Sequence, residues 1–143
     1  MKTHLITDPC HCLALRQAAR AASIRYDRHL EPAGLTTSQF SLLAVVHHNP
    51  CISTQDLADQ MVMDRTTLVR AVKPLARDGY IDQSPDAQNT RKLVFSLTAE
   101  GQRKYQEAHV YWMQAQAEFE ADIGKSRAEA IRAELRDLTK NHL

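Results

Sequence analysis

Residues 53–101 read STQDLADQM, then VMDRTTLVRAVKPLARDGYI, then DQSPDAQNTRKLVFSLTAEG. The first piece predicts a short helix, because Ser53 can cap it and an apolar edge follows at i, i+4 spacing. After a break at Val62, a second helix is predicted from the N-cap residue Asp64 to Gly79, a residue type common at helix ends. Two helices joined by such a tight break indicate a helix-turn-helix motif.

The second helix of this motif has two unlike faces. Its apolar residues recur at helical spacing and are expected in the core: Leu68, Ala71, Val72 and Leu75. Hydroxyl and cationic side chains lie on the opposite face or beside it near the N-terminus: Arg65, Thr66, Thr67, Arg70 and Lys73. Such groups suit phosphates and base edges in a DNA major groove, so this face is the predicted DNA-binding surface. The alternative is an ordinary solvated helix face.

After Gly79 the apolar period changes from 3.6 to about two, which indicates two strands, at residues 80–83 and 93–97. The polar stretch between them, residues 84–92, is too long for a tight hairpin. A helix-turn-helix followed by such a hairpin is typical of a winged helix. Its basic tip can place Arg91, with Lys92 beside it, in the adjacent minor groove.

This block resembles the multiple-antibiotic-resistance regulator (MarR) family of bacterial transcription factors. The resemblance rests on MDRTTLVRAVKPLARDGYI followed by NTRKLVFSLTAEG, and it extends from about Cys12 to the C-terminus. The family's wing carries Asp-x-Arg ahead of a strand that ends in Leu-Thr-x-x-Gly. Arg91 and the stretch 97–101 match that pattern, whereas Asn89 stands at the Asp position. The resemblance implies a mainly α winged helix-turn-helix protein that regulates transcription, with repression as the family default.

The chain has 143 residues, which predicts a single domain. Its winged-helix part is expected at about 36–97, between long helical parts at about 8–31 and 98–142. The net charge is only +1, but six lysines and arginines against four aspartates between residues 64 and 92 predict a locally basic surface. With no apolar run of membrane-spanning length and no signal-peptide core, a cytoplasmic protein with thiol rather than disulfide cysteines is expected.

The terminal helices carry apolar stripes. The first helix should be capped by Asp8, with Pro9 at its first position, and its stripe comprises Leu15, Ala19, Ala22, Tyr26 and Leu30. A second helix is expected over about 37–48, with a short strand at Cys51–Ile52 that pairs with the wing. Near the C-terminus, Thr98 should cap a long helix that Gly124 ends, and Ser126 with Glu129 indicates a further capping box.

The last helix adds a stripe of Ile131, Leu135 and Leu138. Because a winged helix alone does not need these terminal helices, their stripes predict a partner, most simply a two-fold homodimer. The family resemblance implies the same arrangement. Two reading heads spaced about one turn of DNA apart would then bind a palindromic duplex.

Cys10 and Cys12 lie near the start of the first helix, where the helix N-terminus favours a thiolate. The resemblance to the organic hydroperoxide resistance branch of the family implies a redox sensor at Cys12. Cys12 precedes the alignable Arg20 by the same eight residues, and Tyr26 matches a tyrosine that hydrogen-bonds the reactive thiol. The other two tyrosine positions of that branch hold Arg16 and Thr37. The alternative is an inert thiol.

The family resemblance also implies a rival mechanism, in which an aromatic carboxylate is the effector in place of an organic peroxide, and Arg16 on the first helix suits a carboxylate. The alternative is a salt bridge or a solvated arginine. Cys10-His11-Cys12, with His4 or His47-His48, lacks the spacing of a metal site, so no metal or cofactor is predicted. No nucleophile elbow, glycine-rich phosphate loop or H-E-x-x-H motif occurs, which argues against an enzyme. A winged helix that serves only as a protein-interaction module remains a further possibility.

Overall fold

The computed structural model describes residues 9–141, which form six α-helices, one short 3₁₀ helix at Glu31–Ala33 and one three-stranded sheet. The helices are α1 (His11–Leu30), α2 (Thr37–His48), α3 (Thr54–Met61), α4 (Arg65–Arg77), α5 (Ala99–Ile123) and α6 (Lys125–Asn141). The strands are β1 (Ile52–Ser53), β2 (Ile81–Pro85) and β3 (Leu93–Leu97). The chain is thus mainly helical, as predicted.

The sheet is antiparallel, in the order β1-β3-β2, and its β2–β3 hairpin is the wing. Ile52 pairs with Phe95, so the predicted short strand does join the wing. Strand β2 begins at Ile81 and continues to Pro85, beyond the predicted end at residue 83. A proline is tolerated there because β2 is an edge strand, where a missing N–H breaks no ladder bond.

The core lies where α2, α3 and α4 pack against the sheet and the first half of α5. Its largest fully buried side chains are mainly leucines: Leu30, Leu42, Leu43, Val46, Leu57, Leu68 and Leu75. The rings of Phe40 and Tyr105 stack 5.6 Å apart and join α2 to α5. The helix-turn-helix is therefore held on a rigid base.

Capping residues define the ends of the central helices as the sequence predicts. The Ser53 hydroxyl accepts the Asp56 N–H at 3.1 Å at the start of α3. Val62, in the turn that follows, has a left-handed φ of 55°. The Thr98 hydroxyl accepts the Gly101 N–H at 2.9 Å and starts α5. Each cap satisfies an otherwise unpaired backbone donor, so the helix boundaries follow from local chemistry.

Two predicted helix starts are wrong. Helix α1 begins at His11, because Cys10 is extended and its sulfur accepts the Leu13 N–H at 3.4 Å. Pro9 therefore precedes the helix, and Asp8 lies outside the described residues. Helix α6 begins one residue after Gly124, whose carbonyl accepts the Ala128 N–H at 2.9 Å. Ser126 consequently lies within the first turn instead of capping it.

Candidate nucleic-acid interface

Helix α4 presents a polar face to solvent because its other face is buried in the core. Leu68, Val72 and Leu75 are buried, and the helix continues through Pro74. The five side chains of the predicted DNA-binding face are all exposed: Arg65, Thr66, Thr67, Arg70 and Lys73. The fold thus places the predicted groove-facing residues on one accessible surface.

Thr67 has a structural role at this surface. Its N–H and its hydroxyl both donate to the Asp64 carboxylate, at 2.8 Å and 3.0 Å. These hydrogen bonds, the backbone one first, hold the pKa of Asp64 below its ordinary value. The carboxylate therefore stabilises the start of α4 at neutral pH, and this contribution is lost as the pH falls through the lowered pKa. Thr67 therefore takes part in the N-cap of α4, whereas Arg65 and Thr66 beside it face solvent.

The wing tip is shaped by side-chain hydrogen bonds to its own backbone. The Asp86 carboxylate accepts the Gln88 N–H at 3.1 Å, and the Asn89 side-chain carbonyl accepts the Arg91 N–H at 3.2 Å. The Asp86 N–H also donates to the Lys92 carbonyl at 2.8 Å. Asn89 thus supports the turn that presents Arg91 and Lys92, both of which are exposed.

Of the six cations on α4 and the wing, Arg77 pairs with Asp78 at 3.5 Å, and the other five are not neutralised within the part of the chain that the structure describes. Across residues 9–141, none of the following five side chains forms an ion pair: Arg65, Arg70, Lys73, Arg91 and Lys92. By contrast, Arg25 pairs with Asp122 at 2.6 Å and Arg103 pairs with Glu100. Uncompensated cations on a helix-turn-helix and its wing can pair with phosphates.

The predicted effector residues are spread along α1. Cys12 and Arg16 are exposed and one helical turn apart, and Cys10 is the N-cap. Tyr26 is half-buried, its hydroxyl is hydrogen-bonded to the Gln116 side chain, and burial, followed by the nearby Glu120 carboxylate, raises its pKa. Fourteen residues of helix separate Cys12 from Tyr26, a distance of about 21 Å. One chain therefore does not bring these two residues together.

A cleft of about 860 Å³ opens between α1, α3, α5 and α6. Tyr26, Phe119, Ile131 and Leu135 give it an apolar wall, and the basic lining residues are Arg132, Arg136 and Lys140. The α6 stripe was visible in the sequence, but the cleft depends on how α6 packs back toward α3. Arg16, the predicted carboxylate ligand, is not among its lining residues.

Metal binding and disulfide formation are the other kinds of site that histidine and cysteine side chains could provide. No three histidine, cysteine or acidic side chains among residues 9–141 are grouped so that they could hold a metal ion. His4 lies outside the range. The three cysteines are exposed, and none is in a disulfide. No helix in the described part of the chain has the length and apolar character that a membrane crossing requires.

Comparison with known proteins places this geometry in a family. The MarR family model matches residues 35–93, from the start of α2 to the wing. The uncharacterized HTH-type transcriptional regulator YwoH of Bacillus subtilis is 28% identical over 117 residues, which span 82% of this chain and 85% of that protein. The homoprotocatechuate degradative operon repressor of Escherichia coli is 27% identical over 119 residues, covering 83% and 80%.

The solved structures include that of the M. tuberculosis transcriptional regulator MosR in complex with DNA. It is 35% identical to this chain, and the superposition covers 92% of this chain and 94% of MosR with a TM-score of 0.82. Identity at this level over nearly the whole length confirms both the predicted winged-helix fold and the predicted resemblance. This chain belongs to the MarR family of DNA-binding transcriptional regulators.

Proposed function

We propose that this chain is a homodimeric repressor that binds a palindromic duplex. The exposed face of α4 enters the major groove, with Arg65, Thr66, Arg70 and Lys73 nearest the bases and phosphates. The wing tip reaches the adjacent minor groove with Arg91 and Lys92. The observation that carries this proposal is the set of unpaired cations on α4 and the wing, on a protein whose net charge is only +1. Thr67 supports the surface through its bonds to Asp64.

Exposed apolar side chains support the dimer. Most of the large apolar side chains that remain exposed lie on α1, α5 and α6: Leu15, Ile24, Val110, Met113, Ile131 and Leu135. The first half of α1, from His11 to Arg20, is almost entirely uncovered by the rest of the chain. Apolar surface of this extent is stabilised when a second copy covers it. We therefore assign about 8–31 and 98–142 to dimerisation and about 36–97 to DNA binding, within one domain.

The DNA-reading role of α4 is tested with Arg70→Ala. A duplex selected by the wild-type protein from a random-sequence pool serves as the ligand, and fluorescence anisotropy gives the affinity. Loss of the Arg70 side chain is expected to cost about 1–3 kcal/mol and to relax the preference at one position in each half-site. Arg103→Ala is the matched control, because Arg103 is an exposed arginine on α5 paired with Glu100.

Three results distinguish the possible outcomes for Arg70. Relaxed preference at one position means that Arg70 reads a base. Equal weakening on every sequence means that it holds a phosphate only. Affinity equal to that of Arg103→Ala removes α4 from the reading role. If the wild type selects no duplex at all, the winged helix acts as a protein-interaction module instead.

Repression should be released by an effector, and Cys12 is the first site to test. Cys12 is exposed in the first turn of α1, and Arg16 lies one turn further on. The thiolate sulfur would attack one oxygen of an organic hydroperoxide. The O–O bond breaks, the sulfur becomes a sulfenic acid, and the second oxygen leaves as the alcohol after protonation. Tyr26 of the same chain is too distant to contact Cys12, so only a second copy could supply that tyrosine.

The redox role is tested by measuring operator affinity before and after mild treatment with an organic hydroperoxide. The wild type and Cys51→Ser, the control that removes an exposed thiol elsewhere, are expected to lose affinity, while Cys12→Ser keeps it. If all three proteins stay bound, or all three are released, Cys12 is not the sensor. Release by an aromatic carboxylate such as benzoate, abolished in Arg16→Ala, would then support the carboxylate mechanism.

A further inference from the structure

Val69 departs from the polar character of the α4 surface. It is 55% exposed, and among the described residues it is the only large apolar side chain left exposed on α4. The neighbours of Val69 on the same surface are a turn or less away: Arg65, Thr66, Arg70 and Lys73. An apolar group therefore stands in the middle of the proposed DNA-reading face.

Local helix energetics do not account for this valine. Valine has lower helix propensity than alanine, lysine or arginine, so a solvated position on α4 gains nothing from it. It lies beside the core face of α4 and not within it, because the buried side chains of the helix are Leu68, Val72 and Leu75, while Val69 stays 55% exposed. Val69 does offer a stiff side chain, because a β-branched residue in a helix occupies one rotamer almost exclusively. Its methyl groups are held in place before any ligand binds.

One group in the major groove matches a fixed apolar side chain. Thymine carries a C5-methyl there, while the other three bases present only hydrogen-bonding edges. Contact between two methyl-bearing groups removes apolar surface from water on both sides. Cytosine or a purine at that position would leave Val69 against polar atoms or water.

We propose that Val69 is a specificity-determining residue that contacts the C5-methyl of one thymine in each half-site. This inference rests on the proposed function, since it requires α4 to enter the major groove. The flanking cations hold the helix on the backbone, and Val69 adds a preference that depends on sequence. Burying about one methyl group predicts a preference of about threefold to tenfold for thymine over the same base without its methyl.

Deoxyuridine provides the test, because it pairs like thymine and lacks only the C5-methyl. Each thymine of the duplex selected by the wild-type protein is replaced in turn, symmetrically in both half-sites, and the affinity is measured by anisotropy. The affinity of the wild type is expected to fall by about threefold to tenfold per half-site when the thymine at one position is replaced. Val69→Ala should bind the thymine and deoxyuridine duplexes equally at that position.

Val62→Ala is the matched control. It removes the same methyl groups from another exposed valine, in the turn before α4, so it should retain the preference that depends on Val69. The melting temperature of each variant verifies that it is folded. The proposal is overturned if Val69→Ala keeps the full preference for thymine, if the wild type shows none at any position, or if the selected half-site has no thymine. In each of these results the wild type still binds its duplex, so a failure of this inference is distinguishable from a failure of the proposed function.

Discussion

Gly101→Ala is expected to destabilise the folded state by about 3 kcal/mol or more, and to lower the melting temperature by roughly 10 °C. A Cβ at this position would stand 1.9 Å from the backbone oxygen of Tyr80 and 2.8 Å from its carbonyl carbon. That oxygen also accepts the Thr98 N–H at 3.1 Å, so the clash disturbs the junction of the wing with α5. Alanine would gain about 1 kcal/mol of helix propensity, which is too little to offset a collision of the added Cβ with the backbone of Tyr80.

Gly34→Ala is the control for this prediction. Gly34 has a φ of 71° but no atom within 4 Å of an added Cβ, so its substitution tests backbone strain without a collision. Thermal unfolding followed by circular dichroism should show a loss of about 1–2 kcal/mol at Gly34. A Gly101→Ala protein as stable as Gly34→Ala, or more stable, would show that α5 does not need this close approach to Tyr80.

Leu135→Glu is expected to convert the proposed dimer to a monomer and to weaken operator binding by about 100-fold or more, because each DNA-binding domain would then bind without the contribution of the second. Leu135 is 44% exposed and, with Ile131, forms part of the apolar wall of the cleft. A carboxylate there would be desolvated when a second copy covers the surface. Light scattering gives the mass, and anisotropy gives the affinity.

The control introduces the same charge on the other side of the helix. Ala133 is exposed on α6 and does not line the cleft, so Ala133→Glu should remain dimeric and bind DNA normally. If Leu135→Glu keeps the mass and affinity of the wild type, the exposed stripe of α6 is not the dimer surface. If both variants dissociate, a negative charge anywhere on α6 disrupts the dimer, and the apolar stripe is not the specific cause.

The reading head could be predicted from sequence because its signals are local. Asp64 and Thr98 are usual N-cap residues, and Gly79 has the positive φ expected after a helix. The start of α1 could not be predicted in this way, since cysteine is rarely a cap. Ser126 was misleading because Gly124, at a φ of 95°, allows α6 to restart at once.

Other features of the site depend on tertiary contacts that no local pattern reports. Helical periodicity placed Thr67 beside the DNA-binding face. It could not show that the N–H and the hydroxyl of Thr67 both donate to the Asp64 carboxylate. Gly101 lies on α5 and Tyr80 lies just before β2, so no local sequence pattern predicts that the two residues come into contact. The cleft likewise requires α6 to pack back beside α3 and α5. The DNA and effector roles of the individual side chains stay predictions.

The salt dependence of duplex affinity shows whether the exposed cations of α4 and the wing bind DNA phosphates. The five unpaired cations that the structure describes on α4 and the wing, present twice in the proposed dimer, predict that the logarithm of the affinity falls linearly with the logarithm of the salt concentration. The expected slope is steep, between about −4 and −9, depending on how many of these cations touch phosphates. The selected duplex and the wild-type protein are sufficient for the measurement. An affinity that stays unchanged between about 50 and 200 mM salt would show that these cations do not bind duplex DNA, because a surface that binds DNA through them must release counterions.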